Sequence, residues 1–308
     1  MRVLVADDSK DSADSLAAWM RLWNHDPVVV YDGFSALARL QEPESPPLAL
    51  LDWNMPGVTG IEICGLLRQD RTLPYRYVIL VTGESGKDRM VSALEAGADD
   101  FLVKPVDQIE LHAHLNTALR ILALQDQLLT SQRQLREQAT HDSLTGLWNR
   151  RAILEILDRE IARSHRELRP ITVIMADLDH FKRINDGFGH PVGDMVLQQT
   201  AQRLLAELRT YDTVGRYGGE EFLFVLPGCD SDIGVGLAER LRQSIAAQPL
   251  TDGEHSIEVT LSMGVASLQD AMTAKELLQL ADDRLYEAKR TGRNRVCGSG
   301  LATSTGGY

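Results

Sequence analysis

The chain has 308 residues, 44% hydrophobic and 25% charged, which is the composition of a folded globular protein with room for about two domains. Its formal net charge is −12 and acids outnumber bases in both halves, so binding to the phosphate backbone of a nucleic acid is disfavoured. No apolar run is long enough to span a membrane, and the opening MRVLVADD lacks the apolar core of a signal peptide. We therefore expect a cytoplasmic protein with no membrane partner, whose three widely spaced cysteines are reduced.

The first half of the chain alternates short apolar runs with segments of helical periodicity. The apolar runs span 2–7, 27–32, 48–53, 77–82 and 100–105, and the helical segments include 12–23 and 60–69. Runs rich in Val, Leu and Ile without strict alternation are typical of parallel strands that are buried on both faces. The pattern predicts a doubly wound, five-stranded parallel sheet with helices on both sides.

Polar side chains stand where these predicted strands end. They are Asp7, Asp8, Asp52, Thr82 and Lys104. Ligands bind at the carboxyl ends of the strands in such sheets, and three carboxylates gathered there would repel one another unless a divalent cation, typically Mg²⁺, lay among them. A single Asp in such a place is more often a helix cap or a solvated loop residue. Five polar residues at the correct strand ends favour a site, in which the Lys and the Thr contact an added phosphoryl group.

The pattern ADDS…LLDWNMPGVTG…VTG…DFLVKP, over residues 1–120, resembles the receiver domain of two-component response regulators. The resemblance implies a flavodoxin-like fold and transfer of a phosphoryl group from a sensor histidine kinase to Asp52. It implies a Mg²⁺ (or Mn²⁺) site made by Asp7, Asp8, Asp52 and the carbonyl of Asn54. Phosphate sensing would fall to Thr82 and Lys104, with Phe101 as an aromatic switch, and the peptide bond between Lys104 and Pro105 is expected to be cis.

A segment without Pro or Gly, from 107 to about 138, predicts one long helix. Its heptad seam consists of Ile121, Leu124, Leu128 and Leu135, flanked by Leu115, Leu122 and Leu129. Such a seam suits a helix that pairs with a copy of itself, and Ser131 and several glutamines make the stripe patchy. We expect a helical linker over 121–141 that forms a weak coiled coil in a homodimer. The alternative is a single helix packed on its own domain.

The second half predicts the element order βαββαβ, which defines a ferredoxin-like domain and is also the arrangement of the palm of polymerases and nucleotidyl cyclases. The predicted strands are 171–179, 213–217, 221–226 and 257–267, and the predicted helices are 194–208, 232–247 and 274–290. We place this domain at 142–297 and expect a disordered tail over 298–308.

Two polar stretches of this domain, 176–194 and RYGGEEF at 216–222, contain the candidate active-site residues. Asp177 ends one predicted strand and Glu220 and Glu221 begin its neighbour, so three carboxylates could share one or two divalent cations that hold a nucleoside triphosphate. Gly218 and Gly219 would let the phosphates approach the backbone. Positive charge for the phosphates would come from Lys182, Lys289 and Arg293. Alone, GGEE could equally be a Gly-Gly hairpin with two solvated glutamates.

The ordered set of these residues resembles the GGDEF family of diguanylate cyclases, with GGEEF as the motif variant. The resemblance implies that two GTP molecules are joined into cyclic di-GMP with release of pyrophosphate, in the presence of Mg²⁺ or Mn²⁺. The implied metal ligands are Asp177, the Leu178 carbonyl, Glu220 and Glu221. Glu220 would also help to deprotonate the attacking 3′-hydroxyl. Asn185 and Asp194 would read the guanine, and Asp194 argues for GTP rather than ATP, because guanine presents donors to a carboxylate.

The stretch RTYD, 209–212, has the R-x-x-D pattern, which on its own is usually an exposed salt bridge. It ends shortly before GGEEF, and at that offset it resembles the family's inhibitory site for cyclic di-GMP. Arg209 and Asp212 would bind the product there, and Arg163 and Arg240 would support them.

These inferences combine into one hypothesis: a phosphorylation-activated diguanylate cyclase with product feedback, whose two substrates meet across a homodimer formed through the receiver and the linker. The alternative is a catalytically silent receptor that binds cyclic di-GMP or GTP and signals through protein partners. A receiver that drives transcription is disfavoured, because no basic recognition helix is present.

Overall fold

The computed structural model describes residues 1–70, 72–83, 87–251, 253–269 and 272–298. Apart from Gly298, the tail expected to be disordered lies outside the described residues. The chain divides into two compact units, Met1–Gln132 and Arg133–Tyr308. None of the helices in the described ranges is both long and apolar enough to cross a lipid bilayer.

In the described part of the first unit, parallel strands form a five-stranded sheet in the order β2-β1-β3-β4-β5. The strands are β1 (Arg2–Ala6), β2 (Asp26–Val30), β3 (Leu48–Asp52), β4 (Tyr77–Thr82) and β5 (Asp100–Val103). The helices are α1 (Lys10–Leu22), α2 (Gly33–Gln41), α3 (Gly60–Gln69), α4 (Lys87–Glu95) and α5 (Gln108–Thr140). The predicted doubly wound parallel sheet is confirmed.

Both faces of this sheet are buried, as the continuous apolar runs predicted. Successive residues of a strand point to opposite faces. Val3 and Val5 of β1 therefore join the core with α1 and the first turns of α5, while Leu4 and Ala6 join the core with α2 and α3. Two separate cores hold the strand ends in fixed positions, which is the condition for a site built from residues of several strands.

Helix α5 is continuous from Gln108 to Thr140, and its burial changes along its length. Leu111, Leu115 and Ala118 are buried in the first unit's core. Beyond them the predicted heptad seam is in solvent: Ile121, Leu124, Leu128 and Leu135 are between 40% and 62% exposed. The single chain therefore leaves an apolar stripe of this helix without cover.

In the described part of the second unit, five strands form a sheet in the order β12-β11-β6-β8-β7, and β9 and β10 form a separate two-stranded sheet. The strands of this unit are β6 (Ile171–Leu178), β7 (Thr213–Gly218), β8 (Glu221–Pro227), β9 (Leu250–Thr251), β10 (Ser256–Ile257), β11 (Leu261–Ser267) and β12 (Val296–Cys297). The helices are α6 (Arg150–Glu167), α7 (Phe181–Phe188), α8 (His190–Ala206), α9 (Ser231–Ala246) and α10 (Ala274–Arg290). The antiparallel pairings of β6 with β8 and β11, and of β7 with β8, confirm the predicted ferredoxin-like arrangement.

Several elements of this unit differ from the predicted ones. The predicted strand 257–267 begins only at Leu261, because Ser256 and Ile257 pair with β9 in a separate short hairpin. The predicted helix 194–208 begins at His190, where Gly189 has a φ of +85° and Pro191 fits the first helical turn. Helices α6 and α7 and strand β12 were not predicted. Helix α6 matters most, since with α10 it covers the sheet face opposite α8 and α9.

Helix α10 approaches the sheet closely at Gly264 of β11. A Cβ built on Gly264 would lie 2.1 Å from the Ala281 carbonyl oxygen and 2.3 Å from the Leu285 nitrogen, both in the backbone of α10. Only glycine leaves room for this contact. The contact fixes the height of α10 over the sheet, and with it the position of Lys289 in the last turn of the helix.

We predict that Gly264→Ala lowers the free energy of unfolding by about 2 kcal/mol or more, because the new methyl group must displace backbone rather than a side chain. Gly236→Ala is the matched control: nothing lies within 4 Å of a Cβ on this exposed residue of α9, so its effect should stay within about 1 kcal/mol. Thermal and urea unfolding of the purified full chain measure both. Equal stability of the two variants would contradict the close contact.

Candidate functional site

Three carboxylates and a lysine meet at the carboxyl edge of the first sheet. Asp7 and Asp8 follow β1 and Asp52 ends β3, and one ligand atom from each lies within 4.8 Å of the others. Nζ of Lys104, just after β5, lies 2.8 Å from Oδ2 of Asp7 and 2.8 Å from Oδ2 of Asp52. The three carboxylates carry more negative charge than the single ammonium group can neutralise. Their oxygens are hard donors, so the pocket fits a divalent cation such as Mg²⁺.

Burial sets the electrostatics of this pocket. Desolvation raises the pKa of Asp52, the hydrogen bond and charge of Lys104 oppose the rise, and the neighbouring charge of Asp7 adds to it. Burial would lower the pKa of Lys104, but its hydrogen bonds with Asp52 and Asp7 outweigh burial and raise it. The lysine therefore remains a cation between the two acids.

The remaining predicted residues of the first unit lie around this pocket. Asn54 is exposed after β3, and its backbone N–H donates to the Asp52 carboxylate. Thr82 is buried at the end of β4. Phe101 of β5 lies opposite Leu80 of β4 and is half-buried against the core. The peptide bond between Lys104 and Pro105 is cis, as expected.

The second acidic site lies where β6 ends beside β8. Asp177 is opposite Glu221 in the antiparallel register, and the Leu178 N–H donates to the Glu220 carbonyl at 3.3 Å. Asp177 is only 8% exposed. The structure thus brings the backbones of all three predicted acids to one sheet edge. Their carboxylate oxygens, unlike those of the first unit, do not all lie within 4.8 Å of one another.

A lysine also neutralises the buried acid of this site. Nζ of Lys289 lies 2.8 Å from Oδ2 of Asp177. Burial raises the pKa of Asp177 to about 6 against the effect of Lys289, and the charges of Glu220 and Glu221 raise it further. The negative charges of Glu220 and Glu221 therefore act on the Asp177 carboxylate. A bound cation would relieve this repulsion.

The two glycines of GGEEF have different roles. A Cβ on Gly218 would lie 2.7 Å from Oε2 of Glu221, so this glycine makes room for a carboxylate of the site itself. No atom lies within 4 Å of a Cβ on Gly219, which faces open space. Only Gly219 therefore fits the predicted role of leaving the backbone accessible to a ligand.

A cavity of about 430 Å³ lies beside the acids and gathers most of the predicted nucleotide residues. It is lined by Phe181, Lys182, Asn185, His190, Asp194, Leu197, Arg216, Gly219 and Glu220. Helices α7 and α8 present Asn185 and Asp194 to it. A Cβ on Gly193 would lie 1.9 Å from Oδ1 of Asn185, so the Asn185 amide packs directly against the backbone of α8. Arg293 does not line the cavity; it is exposed in the loop after α10, four residues beyond Lys289.

One contact at this site escaped the sequence analysis. Arg216 donates through Nε to the Gly219 carbonyl at 2.9 Å and pairs through Nη1 with Asp142 at 3.1 Å. Asp142 also accepts from the Thr145 backbone and hydroxyl. Although burial would raise the pKa of Asp142, the Thr145 hydrogen bonds and Arg216 lower it. Asp142 and Arg216 are 74 residues apart, so no local sequence pattern could signal the contact.

The predicted product-binding residues fall on two neighbouring cavities. Arg209, Asp212 and Arg240 line one of about 160 Å³, and Arg163 lines another of about 400 Å³. Tyr211 borders both. The arginines are already engaged: Arg163 pairs with Glu167 at 2.9 Å, Arg240 pairs with Glu207 at 3.0 Å, and Arg209 donates to the Tyr211 hydroxyl at 3.1 Å. A ligand must compete with these exposed contacts, which are individually weak.

Fold and sites together define a class: a receiver domain with a strand-end aspartate, followed by a ferredoxin-like domain with an acidic nucleotide pocket. Comparison with known families agrees. The family described as "Diguanylate cyclase, GGDEF domain" matches residues 139–295, just over half of the chain, and "Response regulator receiver domain" matches residues 3–116. The chain therefore belongs to the GGDEF family and carries a response-regulator receiver domain.

Individual relatives match either most of the chain or part of it, and the chain spans just under two thirds of the length of PleD. The response regulator PleD of Caulobacter vibrioides is 34% identical over 300 residues, which cover 96% of this chain and 65% of PleD. The diguanylate cyclase DgcP of Pseudomonas aeruginosa is 43% identical over 161 residues, or 52% of this chain and 24% of DgcP. The crystal structure of the coiled coil and GGDEF domain of DgcB from Caulobacter crescentus, in complex with c-di-GMP, has a TM-score of 0.55 at 30% identity. It covers 61% of this chain and 98% of that one.

We predict that Asp177→Asn stabilises the metal-free protein at neutral pH. A folded-state pKa of about 6 means that the folded protein resists ionisation of Asp177 more than the unfolded chain does, and the neutral amide avoids this cost. The gain should be about 1–2 kcal/mol above pH 6 and should shrink as the pH falls towards about 4, where Asp177 is protonated in the folded state and about half protonated in the unfolded chain. Urea unfolding in EDTA from pH 4 to 8 measures it.

Asp282→Asn, on an exposed part of α10, is the control for this measurement and should not stabilise the protein. A gain at Asp177 that is independent of pH would mean that the carboxylate is not penalised by burial.

Proposed function

We propose that the protein is a phosphorylation-activated diguanylate cyclase that joins two GTP molecules into cyclic di-GMP and releases pyrophosphate. The observation that carries the proposal is the single cavity that gathers Lys182, Asn185, Asp194, Gly219 and Glu220, with Asp177 and Lys289 at the adjoining strand end. Membership of the GGDEF family and the c-di-GMP bound to the related DgcB domain support it.

The chain's own residues supply both recognition and charge. The Asp194 carboxylate accepts from the N1–H and N2 amino donors of guanine, and the Asn185 amide bonds the same base. Lys182, Lys289 and Arg293 bind the phosphates, for which Lys289 exchanges its contact with Asp177 for phosphate oxygens. A Mg²⁺ or Mn²⁺ ion, when bound by Asp177, the Leu178 carbonyl, Glu220 and Glu221, would neutralise the triphosphate and make its α-phosphate more electrophilic.

In the reaction, the 3′-hydroxyl oxygen of one GTP forms a bond to the α-phosphorus of the other, and the bond from that phosphorus to the leaving pyrophosphate breaks. The proton of the hydroxyl passes to the Glu220 carboxylate as general base. A second, reciprocal attack closes the ring. Both attacks need two nucleotides face to face, and one domain offers one guanine pocket.

A homodimer supplies the second pocket. The exposed leucines and isoleucine of the α5 seam follow the spacing of a two-stranded coiled coil, and burial against a second copy would remove them from water. We propose dimerisation through the receiver and the linker over 121–141. Each protomer then contributes one GTP.

The first unit would regulate this activity. A sensor histidine kinase would transfer its phosphoryl group to the Asp52 carboxylate, with Mg²⁺ held by Asp7, Asp8, Asp52 and the Asn54 carbonyl. The phosphoryl oxygens would attract Lys104 away from the acids and accept from the Thr82 hydroxyl, and Phe101 would change its rotamer with them. These shifts alter receiver pairing and thereby the register of the paired α5 helices.

We expect purified protein to convert GTP into cyclic di-GMP and pyrophosphate with Mg²⁺, and beryllofluoride, a phosphoryl mimic, to raise the rate about tenfold or more, since the half-sites face each other only after activation. Chromatography of the products measures the rate. Asp52→Asn should abolish the stimulation. Absence of any conversion under activation would exclude the enzyme, and stimulation that survives Asp52→Asn would exclude this phosphoacceptor.

We also propose that cyclic di-GMP binds at Arg209 and Asp212 and arrests the enzyme. Guanidinium groups suit its phosphates, the Asp212 carboxylate suits guanine, and Arg209, Asp212 and Arg240 line one cavity. Arg163 lines the neighbouring cavity and would support the same ligand, because Tyr211 borders both cavities.

Arg209→Ala should raise the inhibition constant of cyclic di-GMP about tenfold or more, because a charge-assisted contact to the product is lost. Initial rates at increasing product concentration measure the constant. Arg159→Ala, an exposed arginine of α6 outside both cavities, is the control and should behave as the wild type. Equal inhibition constants for Arg209→Ala and the control would remove R-x-x-D from the inhibitory site.

A further inference from the structure

A buried carboxylate beside the nucleotide site has no part in the chemistry above. Asp179 lies just beyond the end of β6 and is 6% exposed. Its Oδ1 accepts the Ser262 hydroxyl at 2.7 Å, and its Oδ2 accepts the Thr260 hydroxyl at 2.6 Å and the Asn294 backbone N–H at 3.0 Å. Three donors satisfy the hydrogen-bonding capacity of this buried carboxylate and fix its orientation.

These hydrogen bonds join three parts of the second unit. Asp179 directly follows β6, the strand that presents Asp177. Thr260 directly precedes the neighbouring β11, and Ser262 of β11 is opposite Asp177. Asn294 belongs to the loop after α10, the helix that carries Lys289. The carboxylate therefore connects the strand end to the loop that contains Arg293.

That loop has an uncommon backbone. Gly292, Arg293 and Asn294 have φ values of +124°, +58° and +45°, so two residues with side chains adopt the left-handed region in succession. L-residues with a Cβ disfavour this region and leave it unless other contacts hold them there. On one side the Arg293 N–H bonds the Ala288 carbonyl of α10 at 3.0 Å, and on the other the Asn294 N–H bonds Asp179.

We propose that Asp179 is a positioning residue for triphosphate binding: through Asn294 it holds the left-handed loop that presents Arg293 to the phosphates, beside Lys289. The inference rests on the proposed function for the identity of the ligand. It adds a residue that touches neither nucleotide nor metal, and it assigns the loop conformation a purpose. Loss of the carboxylate frees the loop, so that Arg293 loses its fixed direction.

The test is a double-mutant cycle in the full chain with Mg²⁺ and the non-hydrolysable guanosine 5′-(α,β-methylene)triphosphate, measured by calorimetry. Asp179→Ala and Arg293→Ala should each weaken binding about tenfold, the loss expected for one charge-assisted phosphate contact. In the Arg293→Ala background, Asp179→Ala should cost less than about twofold more, because both changes remove the same contact.

Two variants separate positioning from general stability. Thr260→Val removes another hydrogen bond to the same Asp179 oxygen but leaves the loop contact, so it should lower the melting temperature and keep the affinity. Asp179→Asn can turn its carbonyl towards Thr260 and Asn294 and donate from its amide to Ser262, so it should restore affinity to within about twofold of the wild type. If Asp179→Ala does not fold, Asp179→Ser takes its place, since its hydroxyl is one bond shorter than the carboxylate and weakens the contact with Asn294 while a polar group remains among the buried donors.

A purely structural Asp179 would give equal losses in both backgrounds, or a loss of affinity with Thr260→Val that matches the loss with Asp179→Ala. Either result overturns the inference, as does unchanged affinity of Asp179→Ala. Wild-type protein that binds the analogue but produces no cyclic di-GMP from GTP would overturn the proposed function alone, because the binding cycle does not depend on turnover. Wild-type protein that does not bind the analogue would overturn both.

Discussion

A carboxylate held at a strand end, away from most of its water and beside other acids, is the constraint on which both units depend. Each unit meets it with one lysine: Lys104 lies 2.8 Å from Asp52, and Lys289 lies 2.8 Å from Asp177. Burial raises the pKa of both aspartates, and the lysines oppose the rise. The acids are thereby kept together in the absence of any ligand. Under the proposed function, both sites exist before the cation and the phosphate arrive, and binding would exchange one positive partner for another.

The glycines near the acids determine the shape of the pocket in the second unit. Gly218 leaves space for the Glu221 carboxylate, and Gly219 lines the cavity with no atom near the position of a Cβ. Gly193 likewise leaves space for the side-chain amide of Asn185. In each case a missing side chain on one residue allows a functional side chain on another to take its place against backbone. The pocket is thus shaped by paired positions rather than by single ones.

Features that depend on a periodic pattern of apolar residues could be predicted from the sequence. The buried parallel strands, the order of the second sheet and the acids at the strand ends all follow from apolar periodicity and from polar residues placed at its limits. Contacts between distant segments could not be read in this way. Asp142 meets Arg216 across 74 residues and Asp179 meets Asn294 across 115, and neither pair leaves a local pattern. The hairpin of β9 and β10 was missed because Ile257 continues the alternation of the strand that follows it.

The contact of Arg216 with both Asp142 and Gly219 sets a limit on how the chain can be divided. By helix boundaries alone, a cyclase unit could begin anywhere after Thr140. Yet the side chain of Arg216, which donates to the Gly219 carbonyl, is only 19% exposed, and without Asp142 its charge would stay largely buried without the acid that pairs with it. A shortened chain that begins beyond this aspartate would keep every residue of GGEEF and still present the turn without its support. We therefore expect that a separately produced second unit needs to begin at or before Asp142 to keep this support.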